Sequence, residues 1–326
     1  MSRATVTVIV TAFNEEKYIG RCLESLLDQD FGDMEVLVID DGSTDRTPDI
    51  IRRYVQMNPS KLRLIVFPKN LGSGNARNIG ALNANGEVIV FLDADMSFPR
   101  DFISKLVSPI LDGSCIATCY EYEVIANIEN PWVKVQGQKI RGFLGADFTW
   151  AIRAIKKQIF IQNGGYDARY GYFDDATFHE RTGINSRVIN SLYAYHYNPS
   201  DAVEIFRKSF WIGLSLRVRF SRNKMELFKI LLKRAFDFSP IVGIPLILFG
   251  NFFIIVGLLL ISSFMIATLK SRILPASNFR EMLLLRLFYA PAYRFLKSLA
   301  VWLGFLRSLT KKWYTIPFDS KLSYFQ

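Results

Sequence analysis

Asp93 and Asp95, separated only by Ala94, stand directly after the apolar run Val88–Leu92. Two carboxylates this close repel each other unless a cation joins them, and hard divalent cations prefer oxygen ligands. The chemistry on offer is a Mg²⁺ or Mn²⁺ site that holds a diphosphate; the plain alternative is a solvated acidic turn. A second acidic turn, Asp40-Asp41-Gly42-Ser43, follows another apolar stretch, Glu35–Ile39. If the two turns share an edge of one sheet, they share one binding cleft.

The elements that must position them are legible as alternating strand and helix signals. Val88–Leu92, mostly β-branched or aromatic, predicts a buried strand with Asp93 and Asp95 just past its end. The carboxyl edge of an open α/β sheet is where ligands bind. Val6–Ala12 predicts a first strand, and a helical pattern carrying Ile19, Cys22, Leu23, Leu26 and Leu27 follows it. Glu35–Ile39 predicts a second strand. The helix after it has Thr47 as N-cap, Pro48 at the first position and Asp49 in the first turn. Leu62–Phe67 predicts a third strand, and Leu71–Ala84 a Gly-rich helix with Gly72, Gly74 and Gly80. Those glycines allow close backbone approach or turn the chain into the helix. This order implies βαβ units, an α/β fold and a mainly parallel sheet.

The rest of the chain differs in composition. Of 326 residues half are hydrophobic, with a net charge of +10. Cys22, Cys115 and Cys119 have no metal-ligand spacing and predict neither a disulfide framework nor a zinc site. Met1-Ser2-Arg3-Ala4 runs straight into Thr5–Thr11, which predicts no signal peptide and a cytoplasmic N-terminal domain. Residues 145–200 are dense in Gly, Tyr and Asp, as an active-site cover would be. From Arg207 to Arg234 nine basic residues face one acidic residue, Glu226, among interleaved apolar side chains. A helix in a membrane interface has this composition; a nucleic-acid face is the rival, and the neighbouring apolar run decides for the membrane. From Pro240 to Leu269 thirty residues carry no charge. A bilayer core needs about 20 apolar residues, so 240–269 predicts a transmembrane helix, kinked or tilted at Pro245 and Gly250-Asn251. Residues 283–309 predict a second span or an interfacial helix, since Arg286, Arg294 and Lys297 interrupt them. Lys311 and Lys312 would then be cytoplasmic. The predicted organisation is a catalytic domain over 1–200, juxtamembrane helices over 201–238, a transmembrane region over 239–310 and a cytoplasmic tail over 311–326.

Six segments occur in one order: V-I-V-T-A-F-N-E-E (8–16), V-I-D-D-G-S-T-D-R-T (38–47), N-L-G-S-G-N-A-R-N-I-G (70–80), F-L-D-A-D (91–95), G-G-Y-D (164–167) and Y-F-D-D-A-T-F-H-E-R (172–181). Over residues 5–200 the chain resembles the family 2 glycosyltransferases of GT-A fold. The resemblance implies that Ala12, Asn14 and Glu15 line the base and ribose pocket, with Asp40 or Asp41 on the base or ribose. It implies that Arg77 reaches the base or diphosphate, that Asp93 contacts ribose and metal, and that Asp95 coordinates Mg²⁺ or Mn²⁺. His196, in A-Y-H-Y-N-P, matches a place where relatives carry a histidine near the metal; a packed, satisfied histidine suits the tyrosine-rich setting equally. The family's Glu-Asp pair corresponds to Asp174-Asp175, a departure at the first position, and Asp175 matches the catalytic base, with Arg181 at the expected spacing. His179 is expected on an exposed helical turn. The Gln-x-x-Arg-Trp motif of the processive synthases is missing from Arg207–Trp211, which favours single additions.

The expected activity is inverting, metal-dependent transfer of one sugar from a UDP- or GDP-linked donor to a hydroxyl of a lipid or lipid-linked acceptor at the cytoplasmic membrane face. A polyprenyl phosphate acceptor is the alternative, and a non-catalytic membrane scaffold a further one. No nucleic-acid partner is expected, and a homo-oligomer is allowed.

Overall fold

The computed structural model describes residues 5–221, 223–247 and 251–310, with the side chains of 251–253 left aside. The described chain divides into two compact units, one of 5–126 with 140–197 and one of 127–139 with 198–310.

In the first unit the predicted alternation is realised as β1 (Val6–Ala12), α1 (Ile19–Leu27), β2 (Met34–Asp40), α2 (Thr47–Met57), β3 (Leu62–Val66), α3 (Ser73–Asn83) and β4 (Val88–Asp93). β1 pairs in parallel with β2 and β4, and β2 with β3. Strands covered on both faces read as continuous apolar runs. Val6, Val8 and Val10 enter one core cluster with α1, whereas Ile9 enters the other with Ile79 of α3. α2 begins at Thr47, whose hydroxyl accepts the Glu15 N–H instead of capping; Arg46 holds the cap position.

Beyond β4 come β5 (Met96–Ser97), α4 (Phe102–Leu111), β6 (Ala117–Ile125), β7 (Ile140–Gly142), β8 (Phe148–Thr149), β9 (Ala154–Lys156), α6 (Lys157–Gln162), a 3₁₀ turn (Ala168–Phe173), α7 (Asp174–Thr182) and β10 (Ser186–His196). The sheet order is β3-β2-β1-β4-β9-β6-β10-β5. The short β9 lies antiparallel between β4 and β6, so the parallel half ends at β4.

The second unit is helical: α5 (Pro131–Lys134), α8 (Ala202–Arg219), α9 (Lys224–Phe236), α10 (Ser239–Leu246), α11 (Asn251–Leu269), α12 (Phe279–Leu284), a π-helical turn (Leu285–Tyr289) and α13 (Ala290–Ser308). Both predicted spans are corrected here. The apolar run 240–269 is two helices that double back on each other. A Cβ on Gly257 would lie 2.4 Å from the Gly243 carbonyl oxygen, and Ser239 Oγ at the start of α10 donates to the Leu260 carbonyl. The 283–309 stretch carries Arg294, which donates to Asp237 at 3.0 and 2.6 Å while Ser298 donates to the other Asp237 oxygen. α8, expected at an interface, packs its Gly213 against the Val301 carbonyl of α13. Among the described residues no helix is long and apolar enough to cross a membrane. Gly250, Lys311, Lys312 and the tail lie outside the described residues.

Candidate active site

The register sets Ala12 of β1 beside Asp40 of β2, and Thr11 beside Asp93 of β4. Both acidic turns therefore leave the sheet at one edge. Asn14, in the left-handed region at φ 57°, ties the first turn to the second. Its Oδ1 accepts the Thr44 N–H at 2.8 Å, and its own N–H donates to Ser43 Oγ at 2.9 Å. Glu15 follows, its N–H held by Thr47 at 2.8 Å. Ala12 is buried and offers this region its carbonyl, which accepts the Asp41 N–H.

The two aspartates of that turn differ. Asp41 accepts the N–H groups of Leu71 and Gly72 at 2.7 and 2.9 Å, ordering the start of α3. Gly72, at φ 94°, makes the turn into the helix there. Asp40 is fully buried, one oxygen near the Ser43 N–H at 3.4 Å and Oδ1 without a hydrogen bond. Burial lifts its pKa.

Arg77, buried on α3, is the centre of the acidic cluster. It donates to Asp93 Oδ1 and to Asp174 Oδ2, each at 2.8 Å, and so joins α3, β4 and α7. Gly80, one turn on, lets α3 lie on β1, since a Cβ there would come 2.4 Å from Ile9 Cγ2. Gly74 similarly meets the backbone of Ala168. Burial disfavours the Arg77 charge, but Asp174, Asp93 and Asp175 together hold its proton more tightly than usual. Asp174 moves the other way for a carboxylate, up to about 6: burial and the adjacent Asp175 outweigh Arg77. For Asp93 burial is likewise offset, by Arg77 and then Arg153, and its carboxyl is held well below the usual range.

Asp175 follows Asp174 in the first turn of α7, and its Oδ1 has no hydrogen bond. The other oxygen lies 3.8 Å from Arg153 Nη1, which is 3.9 Å from Asp93 Oδ2. Arg153 itself sits just before β9, its N–H donating to the Thr118 carbonyl and its carbonyl accepting the Phe91 N–H. Its side chain is 15% exposed and lies over the Tyr120 ring, and it hydrogen-bonds neither carboxylate. Arg181 fastens α7 to the Gly-Gly turn through the carbonyls of Asn163 and Gly165. His179 is half-buried, bonded to the Ile184 carbonyl at the end of that helix.

Among the described residues no group of three His, Cys, Asp or Glu side chains is placed to hold an ion. Asp93 is turned to its two guanidiniums. Asp95 Oδ2 and buried His196 Nε2 are 3.4 Å apart, close enough to converge on one ion whose remaining ligands come from elsewhere. Oxygen with imidazole nitrogen suits Mn²⁺. Magnesium too is commonly held by one or two protein ligands with substrate phosphates.

Two groups had no signal in the sequence. Arg153 sits just before a three-residue strand, with no motif around it. Glu123 on β6 accepts from Tyr120 at 2.5 Å and from Arg141 of β7, with His196 nearby. Burial notwithstanding, these partners hold its carboxyl below the ordinary value.

A model of the family described as Glycosyl transferase family 2 matches residues 7–176. An uncharacterised glycosyltransferase of Nostoc is 32% identical over 120 residues, covering 37% of each chain. Measured by such matches, the chain spans about a third to a half of the length of the first curated relatives. The mannosyltransferase PcManGT of Pyrobaculum calidifontis, solved with GDP-Man and Mn²⁺, superposes with a TM-score of 0.51 at 21% identity, covering 95% of this chain and 88% of that one. Residues 1–349 of Staphylococcus aureus TarS, solved with UDP, also give 0.51 at 21% identity, over 73% and 79%. Both likenesses are of fold.

Proposed function

The chain belongs to glycosyl transferase family 2, and from that premise we propose that it moves one sugar, with inversion, from a UDP- or GDP-linked donor to a hydroxyl of a lipid or lipid-linked acceptor at the cytoplasmic membrane face. The observation that carries this reading is Asp175, which faces the Tyr166 hydroxyl and has its nearest cation, Arg153, at 3.8 Å, in a cluster where Asp93 and Asp174 are already bonded to Arg77. Asp174 is the anchor: its oxygens accept from Arg77 and from the Asp175 N–H. Asp175 takes the acceptor proton as the hydroxyl oxygen attacks the anomeric carbon opposite the departing diphosphate. Asn14, Glu15 and Asp40 face the nucleoside from the paired turns. Asp95 and His196 would hold Mg²⁺ or Mn²⁺, which would supply positive charge to the diphosphate. The donor nucleotides of PcManGT and TarS support this donor class.

A second reading has its own observation. Arg153 is a half-buried cation 3.8 Å from Asp175 with no hydrogen bond of its own to a carboxylate. It suits an anionic acceptor oxygen such as that of a polyprenyl phosphate, which needs no base. Asp175→Asn separates the two: it stops transfer to a hydroxyl and spares transfer to a phosphate.

The direct test is a thermal-shift panel of UDP- and GDP-sugars with and without Mn²⁺. A ligand at 100 times its Kd adds about 2.7 kcal/mol of stability, so the true donor raises the melting temperature clearly. If no nucleotide sugar does so, the donor assignment falls.

A further inference from the structure

Three consecutive helices of the second unit leave large apolar side chains in water. On α9, Met225, Phe228 and Leu232 are 65, 59 and 58% exposed, and no residue of this helix is buried. Their three- and four-residue spacing makes one stripe, while Lys224, Lys229, Lys233 and Arg234 supply the charge. α10 exposes Ile241, Val242 and Ile244, and α11 exposes Ile255, Leu258 and Leu259. Soluble monomers rarely show apolar patches beyond a few hundred Å².

We infer that α9, α10 and α11 form a one-leaflet membrane element that lies on and dips into an anionic bilayer without crossing it. The α10–α11 pair is a hairpin locked at Gly243 and Gly257, so its two ends return to the same side. α10 has eight residues, a rise of about 12 Å against a hydrocarbon core of about 30 Å. α11 is longer, at nineteen residues, but the start of α10 meets it at Leu260, so the part of the hairpin beyond that contact reaches about one leaflet deep. α9 beside it has the composition of an interfacial helix, rich in apolar side chains with Lys224, Lys229, Lys233 and Arg234 among them. The charge selects the occupant: nine basic residues against one acidic between Arg207 and Arg234 complement anionic headgroups. A second copy of the chain would bring the same positive charge to the contact. The inference does not depend on the chemistry proposed for the first unit.

The experiment uses the full chain with sealed vesicles of phosphatidylcholine, either pure or with roughly a third phosphatidylglycerol. Co-flotation with the anionic vesicles is expected, at least about tenfold weaker with the neutral ones. Phe228→Glu with Leu232→Glu, both at exposed positions, is expected to abolish flotation with helicity and melting unchanged. Flotation retained by that variant, or a vesicle-indifferent chain that self-associates through these helices, overturns the inference. Sidedness is read with an impermeant maleimide added outside to Ser221→Cys and Ser277→Cys in a Cys115→Ser background. Both cysteines are expected to react fully. Protection of Ser277→Cys alone would show that the run spans the bilayer, and would overturn the one-leaflet arrangement.

Discussion

At Asp175 one carboxylate oxygen carries no hydrogen bond, whereas Asp174 beside it is bonded to Arg77 and to the Asp175 N–H. Asp175→Asn is expected to lower hydroxyl transfer about 10²–10⁴-fold and to leave nucleotide binding intact, as turnover and calorimetric titration would show. Arg153→Met removes a charged donor; at about 1.5–3 kcal/mol for such a bond, kcat/KM should fall about 10- to 100-fold. Unchanged kinetics would return Arg153 to a structural role. Asp174 also has a signature in pH. Its folded-state pKa of about 6 lies above the ordinary 3.8, so in that window the folded form holds a proton that the unfolded chain has lost. Stability from this group is then present below the window and is lost as pH rises through it. Melting of wild type relative to Asp174→Asn should accordingly worsen from about pH 4 to 6; a flat difference would refute the shift. Asp93, held low, acts in the opposite sense, its contribution disappearing on acidification. Asp40, Asp41, Asp93 and Asp95 were visible from the sequence because they follow apolar strand runs, whereas Asp174 and Asp175 were reached through the family resemblance. Arg153 was not, since nothing adjacent in sequence marks a residue whose partners lie on β4 and α7.

At the scale of elements, α3 carries the most constraint. Its Arg77 joins β4 and α7, and its Gly80 sits against Ile9 of β1. Gly80→Ala should cost about 1–3 kcal/mol by overpacking, visible as a lower urea midpoint. An unchanged midpoint would mean that Ile9 has room to move. The β1–β4 half was legible because each buried parallel strand is a continuous apolar run set off by turn residues. β9 was not, because three residues give no periodicity to read. The stretch 240–269 misled for a different reason: hydropathy is summed along one dimension and cannot register that a chain reverses. Gly243 and Gly257, the contact that permits the reversal, are unremarkable as letters and matter only when they face each other.

At the scale of the whole molecule, the proposed nucleotide site belongs to the first unit and the apolar surface to the second, and each has its own ion pair. Asp237→Ala would strand Arg294, a loss of about 3–5 kcal/mol, while nucleotide affinity should be unchanged; a fall in affinity would show that the units are energetically coupled. The long reach of the Arg77–Asp174 pair has a consequence for how the molecule is made. The partners are 97 residues apart, and at a synthesis rate of about 5–20 residues per second the arginine waits about 5–20 s on the ribosome for its aspartate. During that interval β1–β4 can already associate, with Asp93 as the arginine's sole counter-ion within the pair of salt bridges. A nascent chain is therefore sheet first and catalyst last, its charges screened by water until α7 arrives to close the cluster.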